Sequence, residues 1–323
     1  MMNYSIKILV LIFLMVSSIE AADKIALYKG YINSSYDSAK NSIMGGATTA
    51  TAKGYSALNS NPAGLSTNYN FTLYLKTIQG TTSDSEGTEI ATIDAANHLG
   101  IGLMYDSFAI EYKNANYLSV GGAYGYESIY GLFSVGFSYT MDQTDLTANN
   151  ELAKDEYATG DYLTWGLMWQ KTFLDEDDFY SIYFGLSHKN SGKYAGDLRS
   201  KVIPVSPSRT SYGIGLETNM FNGSILLTYD ISEEFWNSSS ETLSSTAYGI
   251  KWMLGHKFAI GGGINSQTFA GSTLKDIETI GIGIEWGFLG MHLLPSYTQR
   301  TVNSSTGVYI DEEALHLDLA FTF

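Results

Sequence analysis

Apolar and polar residues alternate along most of the chain between Asn70 and Phe323. In the stretch 99–105, for example, Leu99, Ile101 and Leu103 are separated by single glycine residues. Because successive side chains of a strand point to opposite faces, such a period of two predicts strands that each have one apolar face. The pattern therefore predicts an all-β fold over this part of the chain.

About fourteen stretches of this kind can be counted, an even number, as in bacterial outer-membrane barrels. They are predicted near residues 70–79, 97–106, 107–113, 116–126, 129–141, 160–173, 178–190, 209–219, 222–232, 245–255, 257–266, 276–287, 289–299 and 313–323. The weakest is 107–113. If residues 107–116 form one irregular connection instead, the count falls to about twelve.

The connections between these stretches alternate in length. The short ones are 106–107, 127–128, 174–177, 220–221, 255–256 and 287–288, and the long ones are 80–96, 142–159, 191–208, 233–244, 267–275 and 300–312, with 114–115 the single short exception. Outer-membrane barrels separate short periplasmic turns from longer external loops in this way, whereas a soluble sandwich has no reason to do so. We therefore predict a transmembrane antiparallel β-barrel spanning residues 70–323, with its long loops outside the cell.

The last stretch, Leu315–Phe323, alternates without a break and ends on phenylalanine. It resembles the C-terminal signal of bacterial outer-membrane barrels, which their insertion machinery reads. The resemblance implies that this strand binds the insertion machinery and that the barrel is surrounded by the lipids of a Gram-negative outer membrane.

The N-terminal stretch has the plan of a secretory signal peptide. Lys7 precedes the apolar run 8–16, and the small residues Ala21 and Ala22 follow. The run is too short for a comfortable membrane span, so we predict a signal peptide over residues 1–21 rather than an uncleaved anchor helix.

Composition narrows the range of functions. The 323 residues carry a formal charge of −15 and no cysteine. Without a basic stripe to neutralise phosphates, nucleic-acid binding is not expected. An exported chain without cysteine does not depend on disulfides.

Residues 22–69, between the signal peptide and the barrel, do not look like strands. A run of small residues at 44–52 is followed by Asn61-Pro62-Ala63-Gly64-Leu65. Small side chains allow close backbone packing, and Asn-Pro favours a turn. The segment is predicted to fold as a compact plug, the alternative for the motif being an ordinary turn that leads into the first strand.

This order of elements resembles the FadL/TodX family of outer-membrane transporters for hydrophobic compounds, and also PorV-like barrels. The resemblance implies an N-terminal hatch inside a fourteen-stranded barrel, with Asn61, Pro62, Ala63, Gly64 and Leu65 as its hatch or gate residues. The external loops are shorter than is usual in that family and show no amphipathic helix, so capture of fatty acids with high affinity is less expected than the hatch itself.

No catalytic motif stands out, and we expect neither an enzyme nor a cofactor or metal site. An acyl hydrolase built around His188 and Asn190, or around His292, is the enzymatic alternative. The strand phase predicts that several ionisable side chains face the lumen, where they either pair with the hatch or line an open path. These lumen-lining candidates are Glu111, Glu217, Asp230, Lys251, Glu285, His316 and Asp318.

Three functions remain open at this point. The leading hypothesis is passive uptake of small hydrophobic molecules, such as long-chain fatty acids, aromatics or alkanes. The rival is a PorV-like structural barrel that anchors partner proteins at the cell surface. A general porin is a third possibility, although a plug of about 45 residues fits poorly with an open aqueous channel.

Overall fold

A computed structural model describes residues 38–67, 70–84, 86–93, 99–113, 117–145, 157–175, 178–190, 193–194, 208–220, 222–236, 241–255, 257–270, 274–304 and 309–323. The predicted signal peptide, residues 1–21, lies outside the described residues, as does the first part of the predicted plug, residues 22–37.

Within these ranges, sixteen strands form one antiparallel sheet. They are β1 (Thr72–Asp84), β2 (Glu89–Ile93), β3 (Gly100–Tyr105), β4 (Phe108–Lys113), β5 (Tyr117–Ser128), β6 (Gly131–Asp145), β7 (Tyr157–Asp175), β8 (Asp178–Lys189), β9 (Lys193–Tyr194), β10 (Ser208–Met220), β11 (Gly223–Trp236), β12 (Glu241–Leu254), β13 (Phe258–Ala270), β14 (Leu274–Phe288), β15 (Met291–Ser304) and β16 (Tyr309–Thr322). β1 pairs with β16, from Thr72 opposite Thr322 to Asp84 opposite Ile310, so the sheet closes into a barrel.

Fourteen of the strands build the barrel wall, because β2 pairs only with the far half of β1 and β9 only with β7. The predicted number of strands is therefore confirmed. The twelve-strand alternative is wrong, because Phe108–Lys113 forms β4, which pairs with both β3 and β5.

The side chains alternate across the wall as the sequence pattern predicts. On β3, Ile101 and Leu103 are 47% and 43% exposed on the outer face, whereas Met104 is 2% exposed on the inner face. The outer face carries aliphatic and aromatic residues on every long strand, and the inner face carries mainly glycine, serine and threonine. This is the surface of a protein surrounded by lipid, in agreement with an outer-membrane location.

Four of the predicted long loops are wrong in length. In the stretch 80–96, β1 continues to Asp84 and β2 covers Glu89–Ile93. The stretches 233–244, 267–275 and 300–312 are mostly strand, because β11 to β16 continue past the predicted ends and leave only residues 237–240, 271–273 and 305–308 between them. In β11 the alternation persists beyond the apolar core: Ile231 and Phe235 face outward, while Ser232 and Glu234 are buried on the inner face. Because the inward residues of this continuation are polar, a search for runs of apolar residues does not detect it.

The ends of the barrel differ. One end, called here the short-turn end, carries tight turns such as Asp106-Ser107, Ile129-Tyr130 and Leu289-Gly290, together with Phe323.

The strands of the wall differ in length. β3 and β4 have six residues each, fewer than the 9–11 that a tilted membrane-crossing strand takes, whereas β7 has 19. The described wall is therefore lowest at β3 and β4.

Residues 38–67, called here the inner segment, form no strand. They contain α1 (Ala39–Ile43) and two 3₁₀ helices, Gly54–Ala57 and Pro62–Thr67. The Ser38 side chain caps α1 by accepting a hydrogen bond from the Asn41 backbone N–H at 3.2 Å. Within the described ranges, no helix is both long enough and apolar enough to cross a membrane.

Candidate functional site

The inner segment lies against the inner face of the barrel at wall positions occupied by glycine. A Cβ added to Gly136 would lie 2.3 Å from the Pro62 carbonyl, and one added to Gly281 would lie 1.9 Å from the Ser42 carbonyl oxygen. A Cβ added to Gly185 would lie 2.2 Å from the Thr49 carbonyl oxygen. Since an ordinary contact of this kind is 3.4–4 Å, only glycine lets the backbone of the segment approach the wall so closely.

Wall carboxylates hold two backbone N–H groups of the segment. Asp318 Oδ1 accepts a hydrogen bond from the Ala39 N–H at 3.0 Å, and Asp230 Oδ2 accepts one from the Thr49 N–H at 2.7 Å. Asp318 also accepts a hydrogen bond from the Tyr55 hydroxyl at 3.3 Å. Both carboxylates therefore satisfy backbone donors that would otherwise be buried without a partner.

The predicted gate residues Asn61–Leu65 belong to the inner segment and are all buried. Asn61 Nδ2 donates to the Thr49 carbonyl at 2.7 Å and to the Leu167 carbonyl at 3.2 Å, while its Oδ1 accepts from the Ala63 N–H at 3.2 Å. Asn61 thus links two parts of the segment to β7. Pro62 begins a 3₁₀ helix, where its missing N–H leaves no unpaired donor.

A cluster of buried apolar side chains, called here the apolar contact, joins the segment to the wall near β1, β3 and β4. From the segment it takes Ala52, Tyr55, Ala57, Leu58, Ala63 and Leu65, and from the wall Tyr74, Met104, Ala109, Met168 and Ala320. The rings of Tyr55 and Tyr74 stack with their centroids 4.7 Å apart. Met104 and Ala109 belong to β3 and β4, so part of the apolar side of the segment faces the lowest part of the described wall.

Glu111, a predicted lumen-facing residue on β4, lies beside this contact. It is fully buried and pairs with Lys76 Nζ at 2.6 Å and Lys113 Nζ at 3.4 Å. Its Oε1 also accepts a hydrogen bond from Asn59 Nδ2 of the inner segment at 3.2 Å. Glu111 therefore connects two wall lysines to the segment.

The remaining predicted lumen-lining residues face the bore at different levels. Glu217 accepts hydrogen bonds from the Tyr183 hydroxyl at 2.6 Å and the Ser224 hydroxyl at 3.0 Å. Lys251 pairs with Glu285. His316 and Asp318 are both buried on the inner face of β16, and His316 Nε2 shares a hydrogen bond with the Thr298 hydroxyl at 2.9 Å.

A cavity of about 190 Å³ lies between the inner segment and the wall at the short-turn end. Its lining combines apolar, hydroxyl and charged groups, contributed by Lys40, Lys53, Gly54, Tyr55, Thr67, Thr72, Met104, Glu285, His292, Leu294, Ala320 and Thr322. Lys40 Nζ donates to the Lys53 carbonyl at 3.1 Å, and Lys53 Nζ lies 4.9 Å from the centre of the Tyr183 ring. Burial lowers the pKa of Lys40 to about 8 and also lowers the pKa of Lys53.

A second apolar group lines the opposite end of the bore. These inward-facing side chains are all buried and come from β1, β12, β14, β15 and β16: Ile78, Leu243, Ile277, Val302 and Ala314. Two Arg–Glu pairs face inward at the same end, Arg209 with Glu234 at 3.4 Å and Arg300 with Glu312 at 3.8 Å. Apolar and charged side chains thus lie side by side at both ends of the bore.

The histidines considered for catalysis are separated by the fold. His188 faces outward on β8 and is hydrogen-bonded to Thr210 Oγ1 at 2.8 Å and Asn190 Oδ1 at 2.9 Å, whereas His292 lines the cavity. No group of His, Asp and Glu within the described part of the chain is arranged to hold a metal ion.

Two elements of the site were not predicted from the sequence. Lys40 and Lys53 lie in the segment but carry no motif, so their meeting in one cavity has no local signal. The wall glycines do have one: Gly136, Gly166 and Gly185 all fall at inward positions of long strands, which indicates a close neighbour inside the barrel.

Solved outer-membrane channels resemble this barrel. CymD, described as a monoaromatic hydrocarbon channel, gives a TM-score of 0.54 at 10% identity, covering 87% of this chain and 96% of its own. A TodX deltaS2S3 mutant, also described as a monoaromatic hydrocarbon channel, gives 0.53 at 12%, covering 88% and 99%. The toluene transporter TbuX of Ralstonia pickettii gives 0.52 at 11%, covering 91% and 100%.

The fold is that of the FadL/TodX-type channels. The resemblance to this family predicted from the sequence is thus confirmed at the level of the fold. The closed barrel with its apolar outer face agrees with the predicted Gram-negative outer-membrane location. No protein-family model matches the chain, and no curated protein matches it. At such low identities, the FadL/TodX-type fold does not carry over a substrate.

Proposed function

We propose that the protein admits small hydrophobic molecules passively through the outer membrane. The observation that carries the proposal is the cavity at the short-turn end, which shares Tyr55, Met104 and Ala320 with the apolar contact. A partly apolar surface thus leads from the lowest part of the described wall to the cavity at the predicted periplasmic end. The names of the similar solved structures, hydrocarbon channels and a toluene transporter, point to the same class of solute.

The size of the cavity favours compact ligands. At about 190 Å³ it exceeds the roughly 150 Å³ apolar cavity that holds a benzene molecule but falls short of the 300–1,000 Å³ that drug-sized ligands occupy. We therefore favour single-ring aromatics and short alkanes over the long-chain fatty acids that the family resemblance also allows.

Passage requires the inner segment to rearrange. The segment fills the bore at its own level, with its backbone on the wall glycines. Asp318 and Asp230 hold the Ala39 and Thr49 backbone N–H groups, which lie before the apolar contact in the chain, so residues 52–67 can separate from the wall while these two anchors hold. Solutes would then move down their gradient without nucleotide hydrolysis.

Uptake by intact Gram-negative cells tests the proposal, because lipopolysaccharide slows the entry of apolar solutes. Cells that carry the protein should take up labelled toluene faster than cells without it, and labelled palmitate no faster. Met104→Glu places a charge in the apolar contact and should abolish the difference. Met253→Glu makes the same change at another inward-facing methionine, outside both the apolar contact and the cavity, and should keep it.

An anchoring role is the second candidate, favoured by the hydrogen bonds that tie the segment to β7, β11 and β16. It predicts toluene uptake equal to that of cells without the protein, and a stoichiometric partner that co-purifies with the barrel. That pair of results would replace the uptake proposal.

A further inference from the structure

The cavity at the short-turn end contains two lysines without a paired carboxylate. Within the described ranges, neither Lys40 nor Lys53 has a carboxylate oxygen within 4.0 Å. The one carboxylate that lines the cavity, Glu285, is already paired with Lys251. The chain as a whole is acidic, with 33 Asp and Glu against 18 Lys and Arg, so a cationic cavity is contrary to its average charge.

A buried or half-buried ammonium group is stabilised by a counter-charge. Lys40 donates to a backbone carbonyl, that of Lys53, and Lys53 lies over the face of the Tyr183 ring. The nearby carboxylates are engaged elsewhere, Glu285 with Lys251 and Glu217 with the Tyr183 hydroxyl. Neither partner neutralises a full positive charge. The cavity beside these groups offers room for an anion that would do so.

The rest of the lining shows which anion would fit. Met104, Leu294 and Ala320 supply apolar surface on the wall side of the same cavity, and Tyr55 supplies an aromatic ring. A ligand that uses both halves has a compact apolar body and a single negative group. The volume of about 190 Å³ accommodates one ring with a carboxylate.

We infer that this cavity binds small organic monocarboxylates of the size of benzoate, with Lys40 and Lys53 holding the carboxylate and the Met104 side holding the ring. The inference deepens the proposed uptake function, because it adds acidic aromatics to the neutral solutes. It also makes the two lysines the residues that determine this part of the specificity.

Equilibrium dialysis of the purified barrel in detergent with labelled benzoate tests the inference. Benzyl alcohol, which has the same ring without the charge, and acetate, which has the charge without the ring, should both bind about tenfold or more weakly than benzoate. Lys40→Met and Lys53→Met should each weaken benzoate binding by a similar factor. Lys257→Met removes an exposed turn lysine at the same end and should leave benzoate binding unchanged.

Thermal unfolding provides a second readout that a folding defect would not imitate. Without ligand, Lys53→Met should unfold at the same or a higher temperature than the wild type, because an unpaired cation has been removed. Benzoate should raise the unfolding temperature of the wild type and of Lys257→Met, but not that of Lys53→Met.

Two results would overturn the inference: benzoate binding no tighter than benzyl alcohol binding, or equal binding by the Lys40→Met and Lys257→Met variants. Toluene uptake measured on the same variants separates this failure from failure of the proposed function. If toluene enters the cells while benzoate does not bind, only the carboxylate site is refuted, whereas absence of both refutes the two together.

Discussion

Replacing Gly263 with alanine is expected to loosen the inner segment, whereas the same change at the adjacent Gly262 is not. The two residues are neighbours on β13 and face opposite sides of the wall. A Cβ on Gly263 would lie 2.2 Å from the Met44 carbonyl carbon and 2.4 Å from the Gly45 nitrogen. A Cβ on Gly262 would meet its nearest atom, the Gly281 carbonyl oxygen, at 3.4 Å.

The magnitude follows from these distances. An ordinary contact begins at 3.4 Å, so the Met44 and Gly45 backbone would have to retreat by about 1 Å from Gly263→Ala. Overpacking of this kind costs about 1–3 kcal/mol, which corresponds to a 5- to 150-fold rise in the population of the detached segment. Gly262→Ala adds a methyl group on the lipid side and should change stability by less than about 0.5 kcal/mol.

Hydrogen exchange followed by mass spectrometry reports that population. Peptides covering residues 40–50 should exchange faster in Gly263→Ala by the factor given above and unchanged in Gly262→Ala, while peptides from β6 and β7 stay protected in both. Equal exchange of the segment in the two variants would show that it does not rest on the wall at this glycine, and the account of the filled bore would fail.

Three further changes test other contacts. Asn61→Asp removes both donors that reach backbone carbonyls and should lower the free energy of unfolding by about 2 kcal/mol or more, measured by urea titration; no loss would refute the linking role of this amide. Lys76→Met should lower the free energy of unfolding by about 3–5 kcal/mol, because it leaves the buried Glu111 carboxylate short of a cation. Lys76→Met combined with Glu111→Gln should lower it by less; a loss equal to the sum of the two single losses would contradict the coupling. Deleting Phe323 should lower the fraction of heat-modifiable, membrane-inserted barrel, whereas Phe288→Ala at the same end should not; equal insertion of both would refute the C-terminal signal.

The wall could be predicted from the sequence because its determinants are local. The alternation around Leu99 and Tyr105 fixes the outer face of β3 without knowledge of any distant residue, and the same holds for the weak strand Phe108–Lys113. The parts of β11 to β16 far from the short-turn end were missed because their inward-facing residues, such as Ser232 and Glu234, are polar. A strand that faces a polar bore carries apolar residues on its outer face only, so a search for apolar residues detects it less easily.

The contacts of the inner segment could be predicted only in part. Asn61 was recognised through its motif, but its hydrogen bond to the Leu167 carbonyl joins residues 106 positions apart. The bond from Ala39 to Asp318 spans 279 positions. Such pairings depend on how the segment lies in the closed barrel, and that follows from the fit of the whole surface rather than from any local pattern.

Locking the inner segment to the wall tests the central claim, uptake through a bore that opens when this segment moves. The Ser66 hydroxyl, next to Leu65 of the apolar contact, donates a hydrogen bond to the Ser134 hydroxyl of β6 at 2.7 Å, which brings the side chains within the reach of a disulfide, and the chain has no cysteine of its own. In intact cells carrying Ser66→Cys with Ser134→Cys, oxidation should reduce toluene uptake to that of cells without the protein, and reduction should restore it. Uptake that is the same in the oxidised and reduced states, or no uptake above background by the wild type, would contradict the account.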